Sequence, residues 1–464
     1  MKTNMIFKQI SKKNYSQFFI IFSFVIFFLI GLAVYKDYGL SNDEPFQRTI
    51  GYFWLIELIQ KFSQDHELIN VINQKFKQMY WSDFVLNGNL IQYGILFDTF
   101  AAYIEEVLNI TENQDAFYLK HILTFITFFI SSIFFYRIIL ERFNNSLFAL
   151  LITFFYVTSP RIFAESFYNC KDIVFMSFIV LAIFYALKSF ERFDYRSIFF
   201  FSLFSAFATN VRIMGLLIFF LYLVFLFFIT LENKHFYKKN VFKFFILITS
   251  FPLIMLIFWP FLWESPITNL LYTIKSFANY NMSFEILYLG EYYNIKNLPW
   301  HYIPVWIFAT TPIIFLIFFF IGFTSTAILF AQNFLNLTKK NKLLKNLNQK
   351  KDFFIFFFFL IPIFLVIFLN STLYTGWRHL YFIFPSLTYF IAIGIKFVYK
   401  EKNFKPYLKS ISAVILLSLT VNTYNIIKVH PYQNIYFNFL FEKKANELFE
   451  IDYWGLGNVE ALNF

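Results

Sequence analysis

Charge is scarce in this sequence. Asp, Glu, Lys and Arg make up 14% of its 464 residues, against about 25% in a soluble domain, which excludes an ordinary water-soluble globular protein. Cysteine is scarcer still. Cys170 stands alone, so it forms no intramolecular disulfide and has no CxxC partner for metal or redox work; it reads as an ordinary small residue. No two of the six histidines have the HxxxH spacing of a helical zinc site, and neither a metal nor another cofactor is expected. The sequence lacks an internal repeat, which withholds support from the inverted halves common in transporters. A small-residue cleavage site is missing after the first hydrophobic segment, so that segment reads as an uncleaved helix rather than a signal peptide.

What the chain has is hydrophobic surface. Apolar residues make up 59%, and Phe alone occurs 76 times. A helix needs roughly 20 apolar residues to cross about 30 Å of hydrocarbon. On that measure the chain is an all-α polytopic membrane protein with about eleven transmembrane helices, near 17–35, 118–136, 146–161, 172–190, 197–211, 213–231, 243–262, 302–331, 353–370, 379–398 and 409–428. The stretch from 197 to 231 also reads as one long helix, and charge decides for two. A break at "TNVRIMG" keeps Lys234, Lys238, Lys239 and Lys243 on the same side as the other basic loops. With it, the short inner segments hold 24 of the 39 Lys and Arg but only six of the 28 acidic residues, as the positive-inside rule requires. The same rule accounts for the net charge of +11 without a nucleic-acid partner. The N-terminus is then inside and the C-terminus outside. Residues 1–428 form the transmembrane domain, with long external loops at 36–117 and 263–301, and 429–464 form a short external tail that reads as the opening of something longer. In the first loop, "LIQYGILFDTFAAYIEEVL" has helical periodicity with charges between, as expected of a helix lying in the membrane plane.

The polar clusters nearly all fall on the outer side: "SNDEPFQR", "SPRIFAESFYNCKD", "TNVRIMG", "WPFLWESP", "PWHYIPVW", "TGWRHLYF" and "HPYQNIYFN". Ionisable residues near membrane depth are expensive and by default functional, so a shared cavity at the outer leaflet is expected. Its inventory is two adjacent carboxylates, Asp43 and Glu44, and several cations, Lys171, Arg212, Arg378 and Arg161. A carboxylate can act as a general base. Arginine's planar fork suits phosphate. Together they fit transfer from a lipid-linked phosphate to a hydroxyl. Each residue also has a plainer explanation. Arg161 and Lys171 can snorkel to headgroups, and Asp172 with Lys171 can be an ion pair at a helix start. His379 and Arg378 can belong to an aromatic interface belt, and His301 can be structural rather than substrate-lining. Arg48, one turn beyond Glu44, either orients that carboxylate or makes an exposed salt bridge. Asp43 and Glu44 can cap the helix that follows.

The acidic pair Asp43-Glu44 after one span, opening a long external loop, resembles the GT-C fold membrane glycosyltransferases. Within them the chain is most similar to glycosyltransferase family 39, the protein O-mannosyltransferases, and to the bacterial aminoarabinose transferases that modify lipid A. The blocks "YNCKDIVFM", "NVRIMG", "PWHYIPVW" and "GWRHLYF" look like blocks of bacterial members, and the resemblance is strongest over residues 37–215. It implies a GT-C fold and an inverting transferase using a polyprenyl-phosphate sugar donor, with Asp43 as base and Glu44 positioning the acceptor. Holding the donor phosphate with Lys171, Arg212 and Arg378 is an inference from position. The large soluble domain of some relatives is missing, which leaves protein, lipid and glycan acceptors all open.

The function expected is therefore a multi-pass enzyme of a bacterial cytoplasmic membrane, its site facing the outer or periplasmic side. The rival is a transporter or flippase of lipid-linked or anionic substrates using the same cations as a path. A third reading is a non-catalytic scaffold of the same fold.

Overall fold

In a bilayer the backbone finds no water, so each spanning segment must satisfy its own N–H and C=O groups, which a helix does. The computed structural model describes residues 2–63, 65–88, 90–232, 234–278, 282–338 and 342–457. Among them, nine helices are long and apolar enough to cross a membrane: Tyr15–Val34, Asn113–Phe143, Asp172–Glu191, Ile213–Glu232, Lys239–Ile257, Ile313–Leu335, Leu347–Phe368, Arg378–Lys400 and Lys402–Lys428. The chain is a multi-pass helical membrane protein. Lys339, Lys340 and the tail from Asn458 lie outside the described residues, as do the side chains of Lys2, Lys8, Lys12, Lys13, Lys234 and Lys238.

The remaining two of the eleven expected segments are shorter. The 146–161 segment is a bent pair, Ser146–Val157 and Pro160–Tyr168, at 69° to each other. The 197–211 segment is the 17-residue helix Tyr195–Val211. At 1.5 Å per residue it is about 26 Å long. It ends where "TNVRIMG" predicts, because Arg212 leaves the helix in an extended conformation. The chain then turns back on itself so tightly that a methyl group on Gly215 would overlap the backbone of Thr209. The expected 302–331 span is also divided, into Tyr302–Thr310 and Ile313–Leu335. Pro312 forces its predecessor out of helical geometry, and Thr311 is extended.

Tight backbone approach ties the spans together. Gly322 and Gly394 face each other across the Ile313–Leu335 and Phe384–Lys400 helices, and a Cβ on either would strike the Phe390 or Phe318 carbonyl. Small residues at a helix crossing are the usual device where lipid offers no hydrophobic drive. Both helices begin at the same end of the bundle, where the Trp377 indole N–H donates to the Thr310 hydroxyl at 2.9 Å.

The loops at that end are folded. The first contains the helices Glu44–Phe62, His66–Lys77, Ser82–Leu86 and Leu96–Val107, with Tyr52, Leu55, Ile72, Phe76 and Ala102 buried between them. The periodic segment expected over 90–108 is helical only from Leu96, and Leu90 is left-handed, with φ 58°. The second loop departs from the all-α expectation. After the helix Pro266–Ala278 it forms an antiparallel hairpin, Glu285–Tyr288 with Glu291–Asn294. Its turn residues Leu289 and Gly290 have φ of 53° and 85°, the two positive values a tight hairpin of this twist needs. The tail is not a trailing end. Phe449 pairs with Tyr288, and the Glu450 N–H donates to the Leu287 carbonyl at 3.0 Å, so the tail extends the hairpin.

Candidate active site

Asp43 occupies the N-cap position of the Glu44–Phe62 helix but caps nothing with its side chain. Its carboxylate instead reaches across the fold. Oδ2 accepts from Arg378 Nη1 at 3.0 Å and Oδ1 accepts from the Tyr453 hydroxyl at 2.9 Å. Glu44 turns the other way. Its Oε2 accepts from the Ser41 N–H and hydroxyl at 2.9 and 3.0 Å, and Oε1 lies 3.1 Å from His121 Nε2. The adjacent carboxylates limit their mutual repulsion by facing different partners, Arg378 for Asp43 and the His121 ring for Glu44.

Arg378 and Arg212 come from distant turns, and Asp172 brings them together. One of its oxygens lies 3.3 Å from Arg378 Nη1, and the other pairs with Arg212 Nη2. Asp172 is itself fixed by Asn169, whose amide donates at 3.1 Å and whose oxygen accepts from the Asp172 N–H at 2.8 Å. The Arg378 guanidinium is also caged by aromatic faces, 4.9 Å from Tyr374, 4.7 Å from Tyr453 and 4.9 Å from Trp454. Lys171 donates to Gln47, one turn along from Asp43, at 3.2 Å and lies 4.2 Å above the Tyr93 ring. Burial pushes its ammonium down to about 8, and the Arg212 charge adds to the lowering while Asp98 opposes it. Burial, followed by the Asp43 charge, holds the Tyr453 phenol well above its ordinary value, so it stays a donor at neutral pH.

These groups share one cavity of about 480 Å³, lined on its polar side by Asp43, Lys171, Arg212, Arg378 and His379. Its other wall is apolar, with Leu216, Leu217 and Phe220 from one spanning helix and Leu365 and Leu369 at the end of another. On the polar wall, Arg212 Nε, Arg378 Nε and His379 Nδ1 are buried without a hydrogen-bond partner among the described residues. Of these the two guanidinium N–H groups are donors, and buried donors left unpaired are rare and ask for an acceptor. The arrangement offers unsatisfied cationic donors, an adjacent carboxylate and a greasy channel. Among the described residues no group of three or more His, Cys, Asp or Glu side chains is placed to hold a metal.

Several residues expected at the site lie elsewhere. Arg48 does not orient Glu44: its fork grips Glu105, Nε at 3.0 Å and Nη2 at 2.6 Å, and binds Asn113 at 2.8 Å. Burial alone would raise the Glu105 carboxyl, but Arg48 and then Lys75 outweigh it and hold it low. Arg161 does not face the cavity. It donates to the Tyr436 carbonyl at 2.9 Å and lies over Trp306 and Phe437. His301 is at the hairpin, 2.7 Å from the Tyr288 hydroxyl, and lines no part of the cavity. Glu44 and Asp172 sit behind the wall. Asn210, inside "TNVRIMG", is structural: its side-chain oxygen accepts the Ile95 and Leu96 N–H groups at 2.9 and 2.8 Å, holding the start of the Leu96–Val107 helix. Cys170 is buried and kept a thiol by that burial.

Five residues at the site went unread in the sequence: Gln47, His121, Tyr374, Tyr453 and Trp454. Gln47 had a signal, its position one helical turn from Asp43 on the same face. The Tyr453 contact, 410 positions from Asp43, had none. Comparison with protein-family models, with curated proteins and with solved structures found no match.

Proposed function

We propose that the protein is an integral membrane glycosyltransferase of the GT-C type that moves a sugar from a polyprenyl-phosphate donor to an acceptor hydroxyl, with inversion. The observation that carries this reading is the single cavity where unpartnered guanidinium N–H groups of Arg212 and Arg378, with the His379 ring, stand beside Asp43 and an apolar wall. A lipid phosphate matches both halves: its anion satisfies the donors and its chain lies along Leu216, Phe220 and Leu365. In this reading the cavity end, which lies opposite the basic loops, faces the outer side of a bacterial cytoplasmic membrane, consistent with the Lys and Arg bias.

In the proposed step, an acceptor hydroxyl displaces the Tyr453 hydroxyl from Asp43 Oδ1. Asp43 takes its proton as the oxygen attacks the anomeric carbon from the face opposite the phosphate. The bond from that carbon to the phosphate oxygen breaks, and the electron pair leaves with the phosphate, held by Arg212, Lys171 and Arg378. Preorganised cations are worth more here than in water because Lys171 and Arg378 are buried. A transporter would need charged groups along a path through the spans. The buried charges at the far end are instead closed into pairs, Arg142 with Asp352 and Lys351 with Glu191. The test is release of radiolabelled sugar from polyprenyl-phosphate sugars by the purified protein, with polyprenyl phosphate as competitor. Turnover inhibited by the bare lipid phosphate supports the reading. Flux of the donor across vesicles without sugar release overturns it.

A further inference from the structure

The last spanning helix, Leu408–Lys428, stands away from the bundle: 17% of its span is buried, against 83% for the helix before it. Between it and the start of Ile313–Leu335 lies a second cavity, of about 540 Å³. Ile313, Val414, Leu417 and Val421 make its apolar part, and Asn422, Asn425 and Lys428 with Glu442 and Asn446 of the tail make its polar end. Asn422 is 3% exposed, and its side-chain N–H group has no hydrogen-bond partner among the described residues. An unpaired amide at membrane depth is costly. It calls for an acceptor from a molecule in the cleft.

The dimensions and charges indicate which molecule. From Val414 to Lys428 the helix rises about 21 Å at 1.5 Å per residue, enough for the ~15 Å hydrocarbon of one leaflet and a headgroup. At the polar end one cation, Lys428, and one anion, Glu442, are exposed, and neither makes an ion pair among the described residues. We propose that the cleft binds one glycerophospholipid whose headgroup carries both a phosphate and a primary ammonium. The phosphate pairs with Lys428, the ammonium with Glu442, and an ester carbonyl accepts from Asn422. A primary ammonium can donate to a carboxylate, whereas a trimethylated one cannot, so phosphatidylethanolamine fits better than phosphatidylcholine.

The test is native mass spectrometry of the full chain in detergent after incubation with equal amounts of phosphatidylethanolamine, phosphatidylcholine and phosphatidylglycerol of the same acyl chains. Phosphatidylethanolamine should be retained severalfold over the other two, and Asn422→Leu, Lys428→Gln and Glu442→Gln should each weaken retention by about tenfold. Leucine at 422 breaks no side-chain hydrogen bond among the described residues, and the other two side chains are exposed, so each variant should keep the wild-type melting temperature. Equal retention of the three lipids, a preference for phosphatidylglycerol, or wild-type retention in all three variants overturns the proposal. Sugar transfer is not read, so the result is independent of the proposed activity.

Discussion

Replacing Asp172 by asparagine probes the electrostatics of the site most sharply, because the substitution keeps the shape and removes one charge. Asp172 is 1% exposed and lies between Arg212 and Arg378. Asparagine can still accept from one of them but presents its own N–H to the other. Breaking a buried pair by removing one partner costs about 3–5 kcal/mol. The loss should fall toward the lower end, because Arg378 keeps Asp43 at 3.0 Å and the Arg212 side chain is 20% exposed. The assay is thermal unfolding in detergent for Asp172→Asn, Arg212→Gln and the double variant. The single variants should both melt earlier, and the double variant should lose less than their sum, with a coupling of about 1–3 kcal/mol. Strict additivity, or Asp172→Asn melting with wild type, would refute the claim that this carboxylate holds the two cations together.

Three further outcomes are expected. Lys171 titrates near 8, and a bound anion favours its charged form, so affinity for a lipid phosphate should be full below pH 8 and decline as pH rises through it. Lys171→Arg, charged throughout, should flatten that decline, as a binding titration across pH 6–10 would show (about two units either side of Lys171). Tyr453→Phe removes one hydrogen bond from Asp43 and should change the pH profile of turnover more than donor affinity; an unchanged profile would assign Tyr453 to packing alone. Asn210→Ala strips two backbone N–H groups of their acceptor and should destabilise by about 0.5–2 kcal/mol, read as earlier proteolysis within the 36–117 loop.

Local features were legible in the sequence. Apolar runs mark the long helices, and the polar break at "TNVRIMG" is where the chain turns back. The polar clusters carrying Asp43, Lys171, Arg212 and Arg378 do meet at one cavity, because ionisable groups pushed to membrane depth have few places to go. Partner choice was not legible. Arg48 takes Glu105, 57 residues away, rather than Glu44 in the next turn, since a bidentate grip on a buried carboxylate outcompetes a single helix-surface pair. The hairpin had its signal in "YLGEYYN", strand-favouring tyrosines on both sides of a glycine turn, but it is too short and polar to stand out among the apolar runs. The tail's return to Asp43 depends on packing between ends of the chain, which no local pattern encodes.

Turnover and donor binding of Asp43→Asn, measured side by side with wild type on a radiolabelled polyprenyl-phosphate sugar, test the central claim most directly. Asparagine preserves the shape next to Arg378 but cannot take a proton. Turnover should fall by about 10²–10⁴-fold while donor affinity stays within a few-fold, since Lys171, Arg212 and Arg378 remain. Equal turnover in the two proteins would contradict the account by removing Asp43 from the chemistry.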